Sequence, residues 1–238
     1  GDYVLRHWSE AETPIVMNSI VSSPMLGRLA SLHRATHEVT LTGFKWIINA
    51  ALALEQEGEG RFAFGFEEAL GYSIGPTVRD KDGMSAALIF SDLVAGLRTE
   101  GRTVIDRLEE LWGQVGVWVS AQHSLVRQGD VGVAAISNAV ATLADSPPGE
   151  VSGYRVEGVR DFRSGGENRP FWLGNQSLVE MSLADVGRVL VRPSGTEPKL
   201  KIYVDLTAPA TSDVTAQRGE LQMEAKRLAA EVAELLAI

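Results

Sequence analysis

The first third of the chain alternates between segments typical of strands and segments typical of helices, and this alternation restricts the folds available to it. Apolar runs suited to strands occur at residues 14–21, 39–42 and 61–66. Between these runs, apolar residues recur at helical spacing after Pro24 and again after Gly43. Strands and helices in strict succession are typical of α/β units. We therefore predict a domain with a mostly parallel or mixed sheet and helices packed on it.

The pattern changes after residue 128. A helical pattern over residues 131–144 is followed by several short alternating segments, and a last amphipathic helix is predicted over residues 212–236. Helices packed on a largely antiparallel sheet would give a smaller α+β domain. We predict two domains, the first over residues 1–128 and the second over residues 129–238.

Charge and composition exclude several classes of function. The net charge is −9 and the pI about 5.0, which disfavours broad electrostatic attraction to nucleic acid or to an anionic membrane. There is no cysteine, so disulfides and thiolate catalysis are excluded. No apolar run approaches the roughly 20 residues of a membrane-spanning helix. A cytoplasmic protein without nucleic-acid or membrane partners is the prediction.

The stretch Arg192–Pro198 lies between two predicted strands and is therefore a loop. Two hydroxyls, a glycine and a guanidinium that can form a bidentate fork are the groups needed to hold a phosphate. Lys199 and Lys201 add local positive charge in an otherwise acidic chain. One interpretation is a phosphate-binding loop. The other is a strand connection whose serine, glycine, threonine and prolines suit a turn.

A second group of polar residues follows the predicted strands of the first domain. In open α/β sheets, ligands bind beyond the carboxyl ends of the strands. Lys45, Glu67 and Glu68 fall at such positions. A lysine at a helix start opposes the helix dipole, which favours a functional role over a surface one.

Three motifs, taken in order, resemble one family. Thr42–Ile47, Gly65–Tyr72 and Arg192–Pro198 together are similar to segments of the α-D-phosphohexomutases, the phosphoglucomutase and phosphomannomutase family. The resemblance covers essentially the whole chain. It implies that the chain is the third and fourth of the family's four domains, with further domains upstream.

The resemblance also implies a role for each motif. The third domain supplies a sugar-binding loop and the fourth a phosphate loop. Lys45 is the candidate catalytic residue, which could neutralise phosphate charge or act as acid or base. Ala69 stands where many relatives carry serine, which places the sugar contact of that hydroxyl in doubt. The substrate-binding residues predicted are Gly43, Glu67, Glu68, Gly71, Arg192, Ser194, Gly195, Thr196 and Lys201.

Two motifs of the family are missing from this sequence. Neither the phosphoserine loop of the first domain nor the aspartate-rich magnesium loop of the second occurs here. Asp80-Lys81-Asp82 is the nearest imitation of the metal loop, but it lacks a third aspartate and is interpreted as a turn before a helix. The resemblance therefore implies that the nucleophilic serine and the Mg²⁺ ligands lie on upstream domains, and that no metal ligand lies in this chain.

The implied reaction is an intramolecular phosphoryl transfer that interconverts the 1-phosphate and 6-phosphate of glucose or mannose. It passes through a bisphosphate, which also serves as activator, on a phosphoprotein enzyme. The chain alone is expected to be inactive. A non-catalytic sugar-phosphate binding module, or an inactive fragment, is the alternative, and pentose or glucosamine phosphate is the alternative substrate.

Three other motif readings are weaker. His33 and His37 have the spacing of zinc ligands on a helix, but no third ligand is evident. A glycine pattern beginning at Gly58 precedes a strand instead of following one, so it does not predict a dinucleotide site. Glu67 and Glu68 are adjacent on one strand, which disfavours a glycosidase pair.

Overall fold

The computed structural model describes residues 1–195 and 197–236 and divides the chain into two compact units. The first unit consists of Gly1–Val115 together with the short segment Arg169–Leu173. The second consists of Gly116–Asn168 and Gly174–Ile238. No helix in the described ranges is both long and apolar enough to cross a membrane.

The first unit is built on a four-stranded sheet with the strand order β2-β1-β3-β4. Strands β1, β2 and β3 are parallel, and β4 runs antiparallel to β3. Its strands are β1 (Pro14–Ser19), β2 (Thr36–Thr40), β3 (Arg61–Glu67) and β4 (Gly71–Ile74). Its helices are α1 (Asp2–Arg6), α2 (Met25–Leu32), α3 (Phe44–Gln56), α4 (Gly83–Thr99) and α5 (Val104–Val115).

Strand β1 is apolar on both sides because both faces of the sheet are covered. Ile15 and Met17 pack with α3, whereas Val16 packs with α1 and α2. Parallel strands that are covered on both faces have continuous apolar sequences instead of alternating apolar and polar residues. This arrangement explains why Ile15, Val16 and Met17 follow one another in β1 with no polar residue between them.

A short 3₁₀ turn, Phe171–Leu173, belongs to the first unit although it comes late in the chain. Trp172 is only 7% exposed and is part of the core formed with α3. Its carbonyl accepts the Leu41 N–H at 2.8 Å, just beyond β2. Nothing in the sequence near Trp172 indicates a partner more than a hundred residues upstream.

The second unit contains a six-stranded antiparallel sheet with the order β5-β10-β9-β8-β7-β6. Two long helices pack on one face of the sheet and bury a continuous apolar core. Its strands are β5 (Val117–Val126), β6 (Glu150–Val151), β7 (Tyr154–Asp161), β8 (Val179–Leu183), β9 (Gly187–Pro193) and β10 (Lys199–Ala208). The helices are α6 (Gly129–Asp145) and α7 (Val214–Leu235), and a 3₁₀ turn spans Gly166–Asn168.

The predicted fold class is confirmed in both parts: a mixed, mostly parallel sheet with helices, followed by an antiparallel sheet with helices. The units divide between Val115 and Gly116, however, and not at residue 128. Strand β5 pairs along its whole length with β10, which ties it to the second sheet. The second unit is therefore close to the first in length instead of distinctly smaller.

Candidate functional site

In the first unit, the carboxyl ends of β1 and β3 lie side by side. The two strands are parallel neighbours, with Asn18 opposite Phe66 in the register. Ser19 and Glu67, the last residues of their strands, are therefore at the same edge of the sheet. The turn from β3 to β4 begins there with Glu68. This is the edge at which ligands bind in open α/β sheets.

Glu67 lies against the start of α3. Its Oε1 accepts the N–H of Gly43 at 2.7 Å, and the side chain is buried, with 8% of the residue exposed. Gly43 is the N-cap residue of α3 and has φ +122°, a conformation that favours glycine. The first N–H groups of a helix lack partners inside the helix and attract negative charge. The carboxylate of Glu67 satisfies one of them.

Glu68 turns the other way, towards the end of β1. Its Oε2 accepts from the Ser19 hydroxyl at 3.2 Å and from the Ser22 hydroxyl at 3.1 Å. Its own N–H donates to Ser22 Oγ at 3.0 Å. Adjacent residues at a strand end face opposite ways, so the two carboxylates have different neighbours.

The rest of this turn is tight. Gly71 opens β4, and a Cβ there would lie 3.1 Å from the Lys81 side chain and 3.3 Å from Phe44. Leu70 has φ +62° although it is not glycine, and its side chain is 80% exposed. Left-handed backbone at a bulky residue is strained, and such strain concentrates at functional loops.

Lys45 is exposed in the first turn of α3, two residues after Gly43. Its Nζ lies 5.1 Å from the centre of the Trp46 ring, within the range of a cation–π contact. Trp46 in turn lies 6.5 Å, between ring centres, from Phe171. The structure thus brings Gly43, Lys45 and Glu67 together at the amino end of one helix.

In the second unit, Arg192 on β9 and Lys201 on β10 are directly opposite each other. Their sequence neighbours Val191 and Ile202 are fully buried in the core on the helix side of the sheet. Because side chains alternate along a strand, the two cations project from the other face. Among residues 1–195 and 197–236, neither cation has an ion-pair partner.

The loop that joins these strands is closed by backbone hydrogen bonds. Ser194 N–H donates to the Lys199 carbonyl at 2.8 Å, and Lys199 N–H donates to the Glu197 carbonyl at 2.7 Å. Lys199 is also held by Glu197, with Nζ 2.9 Å from Oε2. A Cβ added to Gly195 would meet no described atom within 4 Å. The prediction for Thr196 falls outside the described residues.

The sequence did not single out several polar residues that lie beside these groups. Ser124 is opposite Lys201 on β5, and Arg127 donates its N–H to the Pro198 carbonyl at 3.0 Å. In the first unit, Ser19 and Ser22 contact Glu68. A signal for the two serines was present, because hydroxyls that follow a buried strand are typical of a ligand edge.

The weaker metal readings are not supported by the described part of the chain. Asp82 caps α4 by accepting from Met84 N–H and Ser85 N–H, and Asp80 accepts from Lys81. No group of three or more His, Asp or Glu side chains that could hold a metal occurs in residues 1–195 and 197–236.

The two histidines have separate partners. His33 Nε2 lies 3.2 Å from Asp2 Oδ1, and His37 Nε2 lies 2.6 Å from Asn18 Oδ1. Burial lowers the pKa of His37 to about 4. They do not form a common site.

Models of two domains of one family match the chain. The model of phosphoglucomutase/phosphomannomutase, alpha/beta/alpha domain III, matches residues 1–115. The model of phosphoglucomutase/phosphomannomutase, C-terminal domain, matches residues 155–218. Both models come from the family that the three sequence motifs resemble.

Curated proteins of this kind are similar over most of the chain. It is 39% identical over 188 residues to a "Probable phosphomannomutase" of Haemophilus influenzae, which covers 79% of this chain and 35% of that protein. It is 33% identical over 226 residues to a phosphoglucomutase of Staphylococcus epidermidis, covering 91% of this chain and 40% of that one. The chain thus spans well under half the length of these relatives.

A solved structure has the same fold. The crystal structure of pp63/parafusin, a phosphoglucomutase from Paramecium, superimposes with a TM-score of 0.64 at 18% identity. The match covers 96% of this chain and 40% of that chain.

Proposed function

Because the chain belongs to the phosphoglucomutase/phosphomannomutase family, we propose that its two units are the sugar-binding and phosphate-binding parts of a phosphohexomutase. The proposed reaction moves a phosphoryl group between the 1- and 6-positions of a glucose or mannose monophosphate through a bisphosphate. The nucleophilic serine and the Mg²⁺ ligands are proposed to lie on domains upstream of this chain.

The observation that carries the proposal is the pair of cations Arg192 and Lys201. Like charges directly opposite on neighbouring strands destabilise a sheet. The pair is at the end of β9 and the start of β10, next to the loop that contains Ser194 and Gly195. A bound phosphate would offset the repulsion, and the guanidinium can hold it with two parallel hydrogen bonds.

A mutase must hold the phosphate that does not react, in both orientations of the sugar. Phosphoryl transfer asks a protein mainly for positioning and for positive charge around the phosphates. In our proposal the loop with Arg192, Ser194 and Gly195 holds the non-reacting phosphate, and Lys201 adds charge to the same face.

Glu67 is proposed to contact the sugar ring. One of its oxygens is held by Gly43 N–H, and among the described residues its Oε2 has no hydrogen-bond partner. A carboxylate oxygen accepts sugar hydroxyls well. Lys45, at the same end of α3, would neutralise charge on a phosphate or exchange a proton with the substrate. Ala69 contributes no hydroxyl, so the proposed sugar contact of this turn rests on Glu67.

The alternative is a module that binds sugar phosphates without turnover. It is favoured for the chain by itself because the chain spans only 35% and 40% of the two curated relatives. Binding and turnover separate the two functions. We expect the chain to bind glucose 1-phosphate and not to convert it when glucose 1,6-bisphosphate is added; conversion by the chain alone would contradict our placement of the nucleophile.

Gly195→Ala tests the loop directly. The added methyl group meets no described atom, so a simple turn would tolerate it without loss of binding or stability. In a phosphate-binding loop the methyl group obstructs the approach of the phosphate to the backbone. We expect weaker binding of glucose 1-phosphate and inorganic phosphate by calorimetry at unchanged stability. Gly149→Ala is the matched control, since its Cβ also meets nothing and it lies in the same unit.

Titrations with mannose 1-phosphate, glucosamine phosphate and a pentose phosphate would rank the substrates. The proposal expects glucose phosphate or mannose phosphate to bind best. If pentose phosphate or glucosamine phosphate binds best, the proposed substrate is wrong and the proposed phosphate-binding loop is unaffected.

A further inference from the structure

Ser19 and Ser22 are two fully buried serines at the ligand edge of the first unit. Both residues are 0% exposed, and Ser19 Oγ lies 2.8 Å from Ser22 Oγ. Buried hydroxyls require hydrogen-bond partners, because water cannot reach them. Both hydroxyls lie within hydrogen-bond distance of Glu68 Oε2, and the side chain of Glu68 lies at the surface.

The chain reaches this arrangement through the end of β1. Ile20 N–H still donates to the Thr40 carbonyl at 2.7 Å, and Ser22 N–H donates to the Ser19 carbonyl at 2.9 Å. The backbone thus turns tightly before α2 begins and brings both hydroxyls to one point. Since β3 is the parallel neighbour of β1, that point is beside Glu68.

Glu68 is held by its backbone and by its side chain at once. Ser22 Oγ accepts the Glu68 N–H at 3.0 Å, and the two hydroxyls share Oε2. Three contacts therefore fix the first residue of the turn between β3 and β4. The side chain of Glu67, the residue before it, has a single hydrogen bond among the described residues, from Gly43 N–H.

We propose that Ser22, assisted by Ser19, is a positioning residue for sugar recognition. It clamps Glu68 so that the turn is held rigidly and Glu67 presents its remaining carboxylate oxygen to the ring. This inference rests on the proposed function. It gives the two adjacent glutamates different roles: Glu67 contacts the sugar, and Glu68 anchors the turn.

The absence of a side-chain hydroxyl at Ala69 makes this anchoring important. The turn has no hydroxyl of its own in the middle, so its geometry depends on the carboxylates at its start and on the strained Leu70 at its end. Preorganised contacts bind better than mobile ones because less conformational entropy is lost on binding.

The first test compares Ser22→Ala with Ser23→Ala. Ser23 is the adjacent serine, and the one hydrogen bond of its hydroxyl within residues 1–195 and 197–236 is from Met25 N–H, at 3.4 Å. We expect Ser22→Ala to weaken glucose 1-phosphate binding about tenfold, in line with loss of a hydrogen bond to a charged group. Binding of inorganic phosphate should be unchanged, because the phosphate loop is in the other unit. Equal glucose 1-phosphate affinities for the two variants would overturn the proposal.

A second comparison covers the case in which Ser22→Ala does not fold. Glu68 is at the surface, so its variants leave the core intact. Glu68→Gln keeps an oxygen that accepts from both serines and should bind glucose 1-phosphate within about twofold of the unchanged chain, whereas Glu68→Ala should lose about tenfold. If Glu68→Gln binds as weakly as Glu68→Ala, the charge of Glu68 contacts the ligand and the positioning role is wrong.

Amide hydrogen exchange separates this inference from the proposed function. Without any ligand, Ser22→Ala should speed exchange of the Glu68 N–H, and Ser23→Ala should not. Failure of the unchanged chain to bind glucose 1-phosphate would contradict the proposed function only. Unchanged exchange at Glu68 in Ser22→Ala would show that the clamp does not hold the turn.

Discussion

Arg192 and Lys201 are directly opposite each other on neighbouring antiparallel strands, and both project from the face of the sheet that is turned away from its apolar core. Arg192→Ala should weaken glucose 1-phosphate binding by about 1.5–3 kcal/mol, the usual contribution of a charged hydrogen bond. Calorimetric titration measures the loss. Arg155→Ala, which removes an exposed arginine from the same unit, is the control and should bind normally. An Arg192→Ala chain with unchanged affinity would contradict the phosphate site.

The same pair predicts a conflict between stability and binding. Lys201→Gln removes the repulsion, so the free energy of unfolding without phosphate should rise by about 0.2–1 kcal/mol. Phosphate should raise the melting temperature of the unchanged chain more than that of the variant, since a ligand stabilises the state that binds it. Thermal unfolding with and without phosphate provides both values. A variant that is destabilised without phosphate would show that the pair is not repulsive.

The left-handed backbone at Leu70 predicts a stabilising substitution. Leu70→Asn places a residue that tolerates this conformation at φ +62°, and little buried area is lost because the side chain is exposed. The free energy of unfolding in urea should rise by about 0.5–1 kcal/mol. Leu88→Asn, at an exposed position within α4, should lower it by about 0.5 kcal/mol, because asparagine is a poor helix former. Equal effects of the two changes would show that Leu70 is not strained.

The buried His37 predicts that stability falls in acid. Its Nε2 donates to Asn18 Oδ1 at 2.6 Å, while Nδ1 faces Gly27, where an added Cβ would lie 2.8 Å away. Burial lowers the pKa of His37 to about 4, below the value of about 6.5 in an unfolded chain. The unfolded chain therefore binds the proton first as the pH falls. The stabilisation from neutral His37 is complete above pH 6.5 and is lost progressively towards pH 4. The free energy of unfolding falls by at most roughly 3 kcal/mol over this range.

Urea unfolding at pH 7, 6 and 5 would measure this dependence. His37→Gln does not titrate and should flatten the curve between pH 6.5 and 4. The control is His7→Gln, which changes an exposed histidine at the end of α1. The interpretation fails if the two variants have the same pH dependence.

Trp172 should be essential to the first unit although it follows residue 116 in the chain. Trp172→Ala should cost about 3–5 kcal/mol of unfolding free energy, because it empties a packed position against α3. Trp172→Phe keeps most of the packing and should cost less than about 1.5 kcal/mol. Phe171→Ala is the neighbouring control, with a ring that is half exposed, and should have a small effect. If Phe171→Ala and Trp172→Ala are equally damaging, the packing role of Trp172 is wrong.

Much of the fold was predictable because its signals are local. Apolar runs and helical spacing placed β1, β3 and α3, which the structure confirms. Strand β4 was missed, since four residues directly after a turn carry too little periodicity. The predicted strand over residues 39–42 is β2 at Thr36–Thr40, whose half-buried residues give a weak apolar pattern.

In the candidate site, too, the sequence indicated the residues, and the structure was needed to show their contacts. Residue types and their order pointed to Glu67, Glu68 and Arg192. Which neighbour each carboxylate contacts depended on the register of β1 and β3, and no residue near Glu68 in sequence indicates Ser22.

The sequence by itself determined the alternation of elements, the chemistry of the loops and the family to which their motifs belong. The tertiary structure decided that β5 joins the second sheet, that Trp172 packs in the first unit, and that Arg192 faces Lys201. The spacing of apolar residues follows from backbone geometry within a few residues, so it can be recognised in the sequence alone. Pairings between distant segments depend on how the whole chain buries its apolar surface, and that balance has no local signature.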